Sequence, residues 1–202
     1  MVNKKMLYGI ALSFGIIAVT GYFLFGGTSE PSVKMFSAGM WDPKVLELSY
    51  LTENADSIVV GRVMEVLPSK WNTPDGKRPE KIEDGYIYTD IVIEVHRYLK
   101  NPQDTQEIVV RTLGGTVDKD SMEFKDEAKF EVGEKVLVFL TKKDPFTANI
   151  PPEHYRILSW KHGKFRLTED GLAIRENVPP AYRIIPLQDV EKAIRKSGGN
   201  RQ

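Results

Sequence analysis

The longest uncharged run of the chain, residues 6–25, places the strongest constraint on what it can form. It contains twenty residues without a charge and follows Lys4 and Lys5. An α-helix rises about 1.5 Å per residue, so a helix of this length covers the roughly 30 Å hydrocarbon core of a bilayer. A cleaved signal peptide usually has a shorter apolar core, and a buried helix usually has a polar side. The run therefore predicts a transmembrane signal anchor.

The charges beside this run predict its orientation. Two lysines precede it, and the first basic residue after it is Lys34. Positive charge is enriched on the cytoplasmic side of a membrane span. We therefore expect residues 1–5 in the cytoplasm, residues 26–40 as a spacer and residues 41–202 as an extracytoplasmic β-rich domain. The expected localisation is the cell membrane, with a single pass and the C-terminal domain outside the cytoplasm.

The composition argues against several classes of function. The chain has 28 Lys and Arg residues, 28 Asp and Glu residues and no Cys. Without Cys there are no disulfides, no thiolate metal ligands and no Cys nucleophile. Proteins that bind nucleic acid normally have a clear excess of basic residues, so a net charge of zero argues against nucleic acid as a partner.

Residues 86–99 show the clearest strand pattern. The odd positions form the predicted core face, which is broken only by Arg97: Ile87, Thr89, Ile91, Ile93, Val95 and Leu99. Asp90, Glu94 and His96 lie at even positions. Successive side chains of a strand point to opposite faces. We therefore expect one face of this strand on a core and the other mostly in solvent.

The remaining elements follow from similar patterns. Strands are predicted at residues 57–66, 106–113, 135–140, 155–160, 163–167 and 172–174. Short helices are predicted after Asp42, which fits an N-cap followed by proline, and at residues 186–196. No helix of about 10–15 residues separates the strands, which argues against a βαβ fold. The prediction is a mainly β domain, a small antiparallel OB-like barrel or sandwich with short N- and C-terminal helices.

Several short motifs resemble a known group of domains. They are ADSIVVGRV at 55–63, YTDIVIEV at 88–95, the Leu-Lys-Asn at 99–101, the Gly-Gly pair at 114–115 and FEVGEKVLVFL at 130–140. Together they resemble uncharacterised prokaryotic secreted or membrane-anchored β-barrel domains. The motifs correspond to strands and turns, so the resemblance implies a fold and says little about activity.

The first of these motifs is also remotely similar to the opening strand of netrin-like or metalloproteinase-inhibitor OB barrels. That resemblance implies a barrel. In those domains inhibition uses an N-terminal cysteine on the target zinc, and this chain has no Cys. The inhibitory mechanism therefore does not carry over.

The sequence offers no recognisable metal or cofactor motif. The three histidines are His96, His154 and His162, and none is spaced as a helical metal-binding pair. Residues 118–120 begin like a calcium loop, but Met122 and Glu123 stand where a ligand and the turn glycine are needed. No G-x-S-x-G or S-x-x-K motif occurs. We therefore expect no metal, no cofactor and no enzymatic activity.

The candidate ligand- or partner-binding residues are Trp71, Lys70 and Lys77. They lie in the long connection at residues 67–85, between the first two predicted strands. In an OB barrel the loop between these strands is one of the loops that contact ligands, and an exposed Trp is a frequent anchor. The alternative is that Trp71 folds back onto the core.

Three functions are compatible with these patterns. The first is a membrane-tethered extracytoplasmic binding or assembly module, with the membrane contacted through residues 6–25 and an envelope protein or glycan as partner. The second is an envelope hydrolase that uses carboxylates or a metal, and the third is a structural spacer without a ligand. If Trp71, residues 114–131 and residues 141–153 meet at one end of the domain, the binding module is favoured.

Overall fold

The computed structural model describes residues 34–37, 42–82 and 85–199. The predicted span at residues 6–25 lies outside the described residues, as does the predicted cytoplasmic N-terminus. Within the described ranges, no helix combines the length and the apolar character that crossing a bilayer requires. In the predicted spacer, the described segment Lys34–Ser37 is a strand.

Strands are the predominant regular structure in the described part of the chain. They are β1 (Lys34–Ser37), β2 (Ser57–Val66), β3 (Lys70–Trp71), β4 (Ile87–Lys100), β5 (Glu107–Leu113), β6 (Gly115–Val117), β7 (Asp120–Phe124), β8 (Lys135–Thr141), β9 (Arg156–Ile157), β10 (Lys164–Leu167), β11 (Leu172–Ile174) and β12 (Ile184–Pro186). The α-helices are α1 (Leu48–Asn54) and α2 (Leu187–Gly199). Short 3-10 helices lie at Pro43–Leu46, Trp160–Gly163 and Pro180–Tyr182. A mainly β fold with a short helix near each end is thus confirmed.

The N-terminal helical segment begins as its sequence predicts. The Asp42 side chain accepts a hydrogen bond of 3.0 Å from the backbone N–H of Lys44, and Pro43 occupies the first helical position. Both features satisfy or remove an otherwise unpaired donor at a helix start. The segment continues into α1, where Leu51 is fully buried.

The strands form two sheets. The larger sheet has the order β12-β11-β10-β8-β2-β4-β3, with β5 added to β4 and β9 added to β8. All these ladders are antiparallel, and the parallel ladder lies in the small sheet, where β1 pairs with β7 beside β6. Within the described residues the ladders do not close the larger sheet into a barrel.

An isolated parallel bridge brings two outer strands of this sheet together. It joins Val110 of β5 to Tyr155, the residue before β9. The Arg111 N–H donates to the Tyr155 carbonyl at 2.8 Å, and the Tyr155 N–H donates to the Val109 carbonyl at 2.8 Å. The edge of β5 that faces away from β4 is therefore partly hydrogen-bonded.

Two apolar cores lie on opposite faces of β8. One combines side chains of β2, β4, β5, β8 and β9 with Ala128, and its buried members include Val59, Ile93, Val110, Val138 and Ile157. The other joins β2, β8, β10 and β11 to the two helices, and its buried members include Leu51, Ile58, Phe139, Phe165 and Val190. Both faces of β8 are covered, as its consecutive apolar residues predict.

The expectation that β4 has one mostly solvated face is wrong for its first half. Tyr88 and Asp90, at even positions, are only 4% and 6% exposed. Asp90 pairs with Arg111, which in turn donates to the Ile150 carbonyl at 2.8 Å, so residues 141–153 cover this face. The even side is exposed only farther along, at Glu94 and His96.

Gly61 lies where β2 approaches β4 too closely for a larger residue. A Cβ at position 61 would overlap the backbone oxygen of Glu94 and lie 2.8 Å from Cγ2 of Ile93. Overpacking a core costs roughly 1–3 kcal/mol. We expect Gly61→Ala to lower the free energy of unfolding, measured by urea denaturation, by about 2 kcal/mol. The control Glu65→Ala, at an exposed position of β2, should change the free energy of unfolding by less than about 0.5 kcal/mol. Equal urea denaturation midpoints for the two variants would contradict the close approach of β2 to β4.

Candidate functional site

Three connections meet beside the β4–β5 pair. From the first, residues 67–85, Trp71 packs with Met122 of β7. The Tyr86 ring lies 5.3 Å from the Phe146 ring and 6.4 Å from the Phe124 ring, measured between centroids. The segments 114–131 and 141–153 thus both contact the end of the first connection. This is the arrangement that favours a binding module.

Gly115 permits the close approach of two of these connections. A Cβ at position 115 would overlap Oγ of Ser69 and lie 2.7 Å from Oγ1 of Thr89. Its φ of 133° also lies in a region that side chains rarely adopt, and Gly114 beside it has a φ of 101°. The Gly-Gly pair therefore lets the backbone after β5 lie directly against Ser69.

The three residues predicted for binding differ in their exposure to solvent. Trp71 is fully buried, so the expectation of an exposed aromatic anchor is wrong and the alternative, in which it folds onto the core, is what the structure has. Met122 and Ile87 enclose it. Lys70 and Lys77 are exposed, and Nζ of Lys77 lies 3.9 Å from Asp75. A binding role for the two lysines stays a prediction.

Buried charges link the converging segments. Arg111 of β5 is fully buried and forms a two-pronged pair with Asp90 of β4, at 2.6 and 2.8 Å. Its Cζ lies 4.0 Å from the centroid of the Tyr88 ring. Arg111 also donates to backbone carbonyls of residues 147, 150 and 151. One guanidinium therefore holds the 141–153 connection against β4 and β5.

Glu127 carries the second buried pair. Its Oε1 accepts a hydrogen bond from Arg156 and another, of 2.9 Å, from the Leu113 N–H. The carboxylate thus continues the hydrogen bonding of the β5 edge beyond the Tyr155 bridge. Burial raises the pKa of Glu127 above its ordinary value, although the Arg156 charge and the Leu113 hydrogen bond oppose this effect. Among the described residues, Oε2 of Glu127 has no hydrogen-bond partner.

Asp144 and His154 form the third buried pair. Burial alone would raise the pKa of Asp144, but hydrogen bonds from His154, Thr147 and the Phe146 N–H outweigh it and hold the pKa well below its usual range. Nε2 of His154 lies 2.8 Å from Oδ2 of Asp144, and Nδ1 lies 2.9 Å from the Pro152 carbonyl. Both ring nitrogens of His154 are therefore engaged within the protein.

The other two histidines lie apart from this pair. His162 is buried, and burial lowers its pKa to about 4, with further lowering by Lys161 and Arg175. His96 is half-exposed and lies 3.1 Å from Glu94 on the surface. Within the described ranges no group of three or more His, Asp or Glu side chains is arranged to hold a metal ion. Asp120, the last residue of the run 118–120 that begins like a calcium loop, is buried and paired with Arg78 at 3.1 Å.

A cleft of about 420 Å³ is lined by residues of β2, β4 and β5 and by the connection at 114–131. We call it the Glu127 cleft. Its polar lining comes from Thr89, Thr112, Gly114, Gly115, Thr116, Ser121, Glu123, Glu127 and Lys129. Its apolar lining comes from Val66, Ile91, Leu113, Met122, Phe124, Ala128 and Phe130. A concave, largely apolar surface with a few polar groups is the usual form of a small-ligand site.

A second cleft of about 420 Å³ lies on the other side of residues 127–129. Its lining is dominated by charged side chains. Lys164 pairs with Glu134 at 2.6 Å, and Lys161 pairs with Asp126 at 2.8 Å. Its apolar lining is limited to Ala128 and Ile174, so this surface resembles an ordinary small-ligand site less closely.

Comparison with known proteins adds no functional assignment. No protein-family model matches this chain, and no curated protein matches it with significant similarity. Function is therefore argued from the site itself.

Sequence analysis did not identify the residues that build the site. Glu127 and Asp144 lie in segments that look like polar connections, and Arg156 lies in a predicted strand. Buried ion pairs between residues far apart in the chain leave no local pattern. The signals that were available are the Gly-Gly pair and the unusual length of the connections, since long loops in a compact domain are often functional.

Removal of the Glu127 side chain should destabilise the domain strongly. It leaves Arg156 buried with Asp144 at 3.8 Å and removes the acceptor of the Leu113 N–H. Breaking one side of a buried ion pair costs roughly 3–5 kcal/mol. We expect Glu127→Ala to lower the free energy of unfolding by about 3 kcal/mol in chemical denaturation. Glu123→Ala, which removes an exposed ion pair with Lys129, should cost less than about 1 kcal/mol. Similar losses of unfolding free energy in both variants would contradict a special contribution of the buried ion pair to stability.

The pH dependence of stability should contain a contribution from His162. Its folded pKa of about 4 lies below the ordinary 6.5. The unfolded chain therefore takes up this proton first as the pH falls, and the stabilisation is complete above pH 6.5 and is lost between 6.5 and 4. We expect His162→Gln to remove roughly 2–3 kcal/mol of the change in unfolding free energy between pH 7 and pH 4.5. The matched variant His96→Gln should keep the wild-type profile, and an unaltered profile for His162→Gln would refute the assignment.

Proposed function

We propose that the protein is a membrane-tethered binding or assembly module whose extracytoplasmic domain holds a ligand in the Glu127 cleft. The tether is residues 6–25, and the expected localisation is the cell membrane, with a single pass. The carrying observation is the cleft itself, whose lining comes from β2, β4, β5 and the 114–131 connection. Loops that a rigid sheet positions are the usual location of binding residues.

We further propose that the larger sheet, although its ladders leave it open, is related to the OB-like sheets of netrin-like and other small envelope domains. In support, the pairings β8–β2, β2–β4, β4–β5 and β8–β9 are joined by the Val110–Tyr155 bridge between β5 and the start of β9. Side chains of these same five strands share one apolar core. In OB-type domains the loops at one end of the barrel contact the ligand, which agrees with the position of the cleft.

The charge network favours binding over hydrolysis. A general base needs a nitrogen or carboxylate that can take a proton from the substrate or its nucleophile. Both nitrogens of His154 are engaged by Asp144 and Pro152, and its side chain is only 4% exposed. Arg111 holds both oxygens of Asp90, and Arg156 holds Oε1 of Glu127, so Oε2 of Glu127 is the one carboxylate oxygen of these pairs that is left without a partner among the described residues. The same cleft favours a ligand-binding module over a spacer without a ligand.

Retention of a specific envelope component tests the proposed function. The full-length chain, purified in detergent and immobilised, is incubated with solubilised native envelope. Val66→Arg adds a charge at the cleft wall, and Val132→Arg adds the same charge outside the cleft lining; the two positions are 42% and 67% exposed, so both variants should fold. We expect wild type and Val132→Arg to retain the same component and Val66→Arg to lose most of it. Equal retention by all three, or none by the folded wild type, would contradict the proposal.

A further inference from the structure

The charged side chains that line the Glu127 cleft are already paired. Glu127 is paired with Arg156 beneath the floor, and at the rim Lys129 lies 3.0 Å from Glu123. No other Asp, Glu, Lys or Arg among the described residues lines this cleft. A site without an unpaired charge offers little selectivity for an ion. Its ligand is therefore recognised by hydrogen bonds and apolar contact.

The hydrogen-bonding groups of the floor are acceptors. Glu127 is 7% exposed and lines the cleft, and its Oε2 lacks a hydrogen-bond partner among the described residues while Oε1 accepts two hydrogen bonds. Thr112 is 7% exposed, and its hydroxyl makes a hydrogen bond of 3.4 Å to the Thr89 carbonyl, which leaves its lone pairs available. Oε2 of Glu127 is not closed off from solvent, so it can accept a hydrogen bond from a ligand in the cleft. The matching ligand group is a hydroxyl or an amide N–H.

The rest of the lining supplies apolar contact of moderate size. Phe124 and Phe130 are half-buried, and Val66 is 42% exposed at the edge. A volume of about 420 Å³ corresponds to a small or medium ligand. The ligand thus has an apolar face and several hydrogen-bond donors but no net charge. Pyranose rings combine these properties, because one face presents C–H groups and the edge presents hydroxyls.

We propose that the Glu127 cleft binds a neutral saccharide, with Glu127 Oε2 and the Thr112 hydroxyl accepting hydrogen bonds from its hydroxyl or acetamido groups. This inference rests on the proposed binding function and assigns its ligand class. Phe124, Phe130 and Val66 contact the apolar face of the sugar. Arg156 acts through Glu127, because it holds Oε1 and so leaves Oε2 directed to the ligand.

Nitrogen-15 correlation spectra of the full-length chain in detergent micelles test the ligand class. The probes are three neutral trisaccharides, triacetylchitotriose, cellotriose and maltotriose, together with the cationic trimer of glucosamine and a neutral blocked tripeptide. We expect at least one neutral trisaccharide to shift amide signals within residues 112–116 and 121–130, while the glucosamine trimer and the tripeptide shift none of them. If no neutral trisaccharide shifts these signals, or if the cation or the peptide does so instead, the saccharide assignment is wrong.

Two variants test the assigned contacts. Glu127→Gln keeps an oxygen for Leu113 and Arg156 but replaces the second acceptor by an amide donor, and Thr112→Val removes a hydroxyl at constant shape. A hydrogen bond to a charged acceptor contributes roughly 1.5–3 kcal/mol, so we expect Glu127→Gln to weaken saccharide binding at least about tenfold. Glu131→Gln, which lies outside this cleft, should bind as wild type. Unchanged affinity in both Glu127→Gln and Thr112→Val would overturn the contacts.

The outcomes for ligand class and for function are separable. Failure of every saccharide while Val66→Arg still abolishes envelope retention removes the saccharide and leaves the binding module. Failure of both experiments removes the module as well. Binding of a neutral saccharide that Glu127→Gln weakens supports both.

Discussion

The ion pair between Glu127 and Arg156 is the interaction on which the rest of the site depends. It joins the turn after β7 to the start of β9, across 29 positions of sequence. The same carboxylate caps the Leu113 N–H at the end of β5. Burying two charges is favourable only when their geometry and remaining hydrogen bonds are well satisfied. The Glu127 carboxylate therefore links the turn after β7 to the end of β5 and the start of β9.

The neighbouring pairs extend this arrangement into a layer of alternating charge. Asp144 lies 3.8 Å from Arg156 and is hydrogen-bonded to His154. Arg111 pairs with Asp90 and also binds backbone carbonyls of the 141–153 connection. Such polar networks specify one arrangement of the segments most strongly when each member is satisfied, and here Nη1 of Arg156 lies 3.8 Å from Asp144 without a hydrogen bond among the described residues. The layer explains why long, polar connections form a defined cleft. The charged groups that line the cleft are paired with one another or with Arg156.

Much of the fold was predictable because the core strands carry long apolar patterns. The strand predicted at 57–66 has those bounds in the structure, and those predicted at 86–99 and 135–140 differ by one residue at their ends. The hairpin of β6 and β7 was not predicted, since residues 116–131 are mostly polar. Strand pairing depends on contacts between distant residues and leaves weak local signals.

The site was less predictable for the same reason. A Trp among lysines in a long connection left an exposed anchor and a buried side chain both open, and burial of Trp71 depends on Met122 of the β6–β7 hairpin. The burial of Tyr88 and Asp90 depends on a connection that starts fifty residues later. Glu127 looks like a solvated residue until the fold brings Arg156 and the end of β5 to it. Position in three dimensions, rather than residue type, decides the role in each case.

The coupling between Glu127 and Arg156 tests the account most directly. A double-mutant cycle compares the free energies of unfolding of Glu127→Ala, Arg156→Ala and the double variant with wild type. Because either single change leaves a buried charge without its partner, the double variant should be more stable than the sum of the two losses predicts, by at least about 2 kcal/mol. Additivity within about 0.5 kcal/mol would contradict the claim that this pair holds the converging segments together.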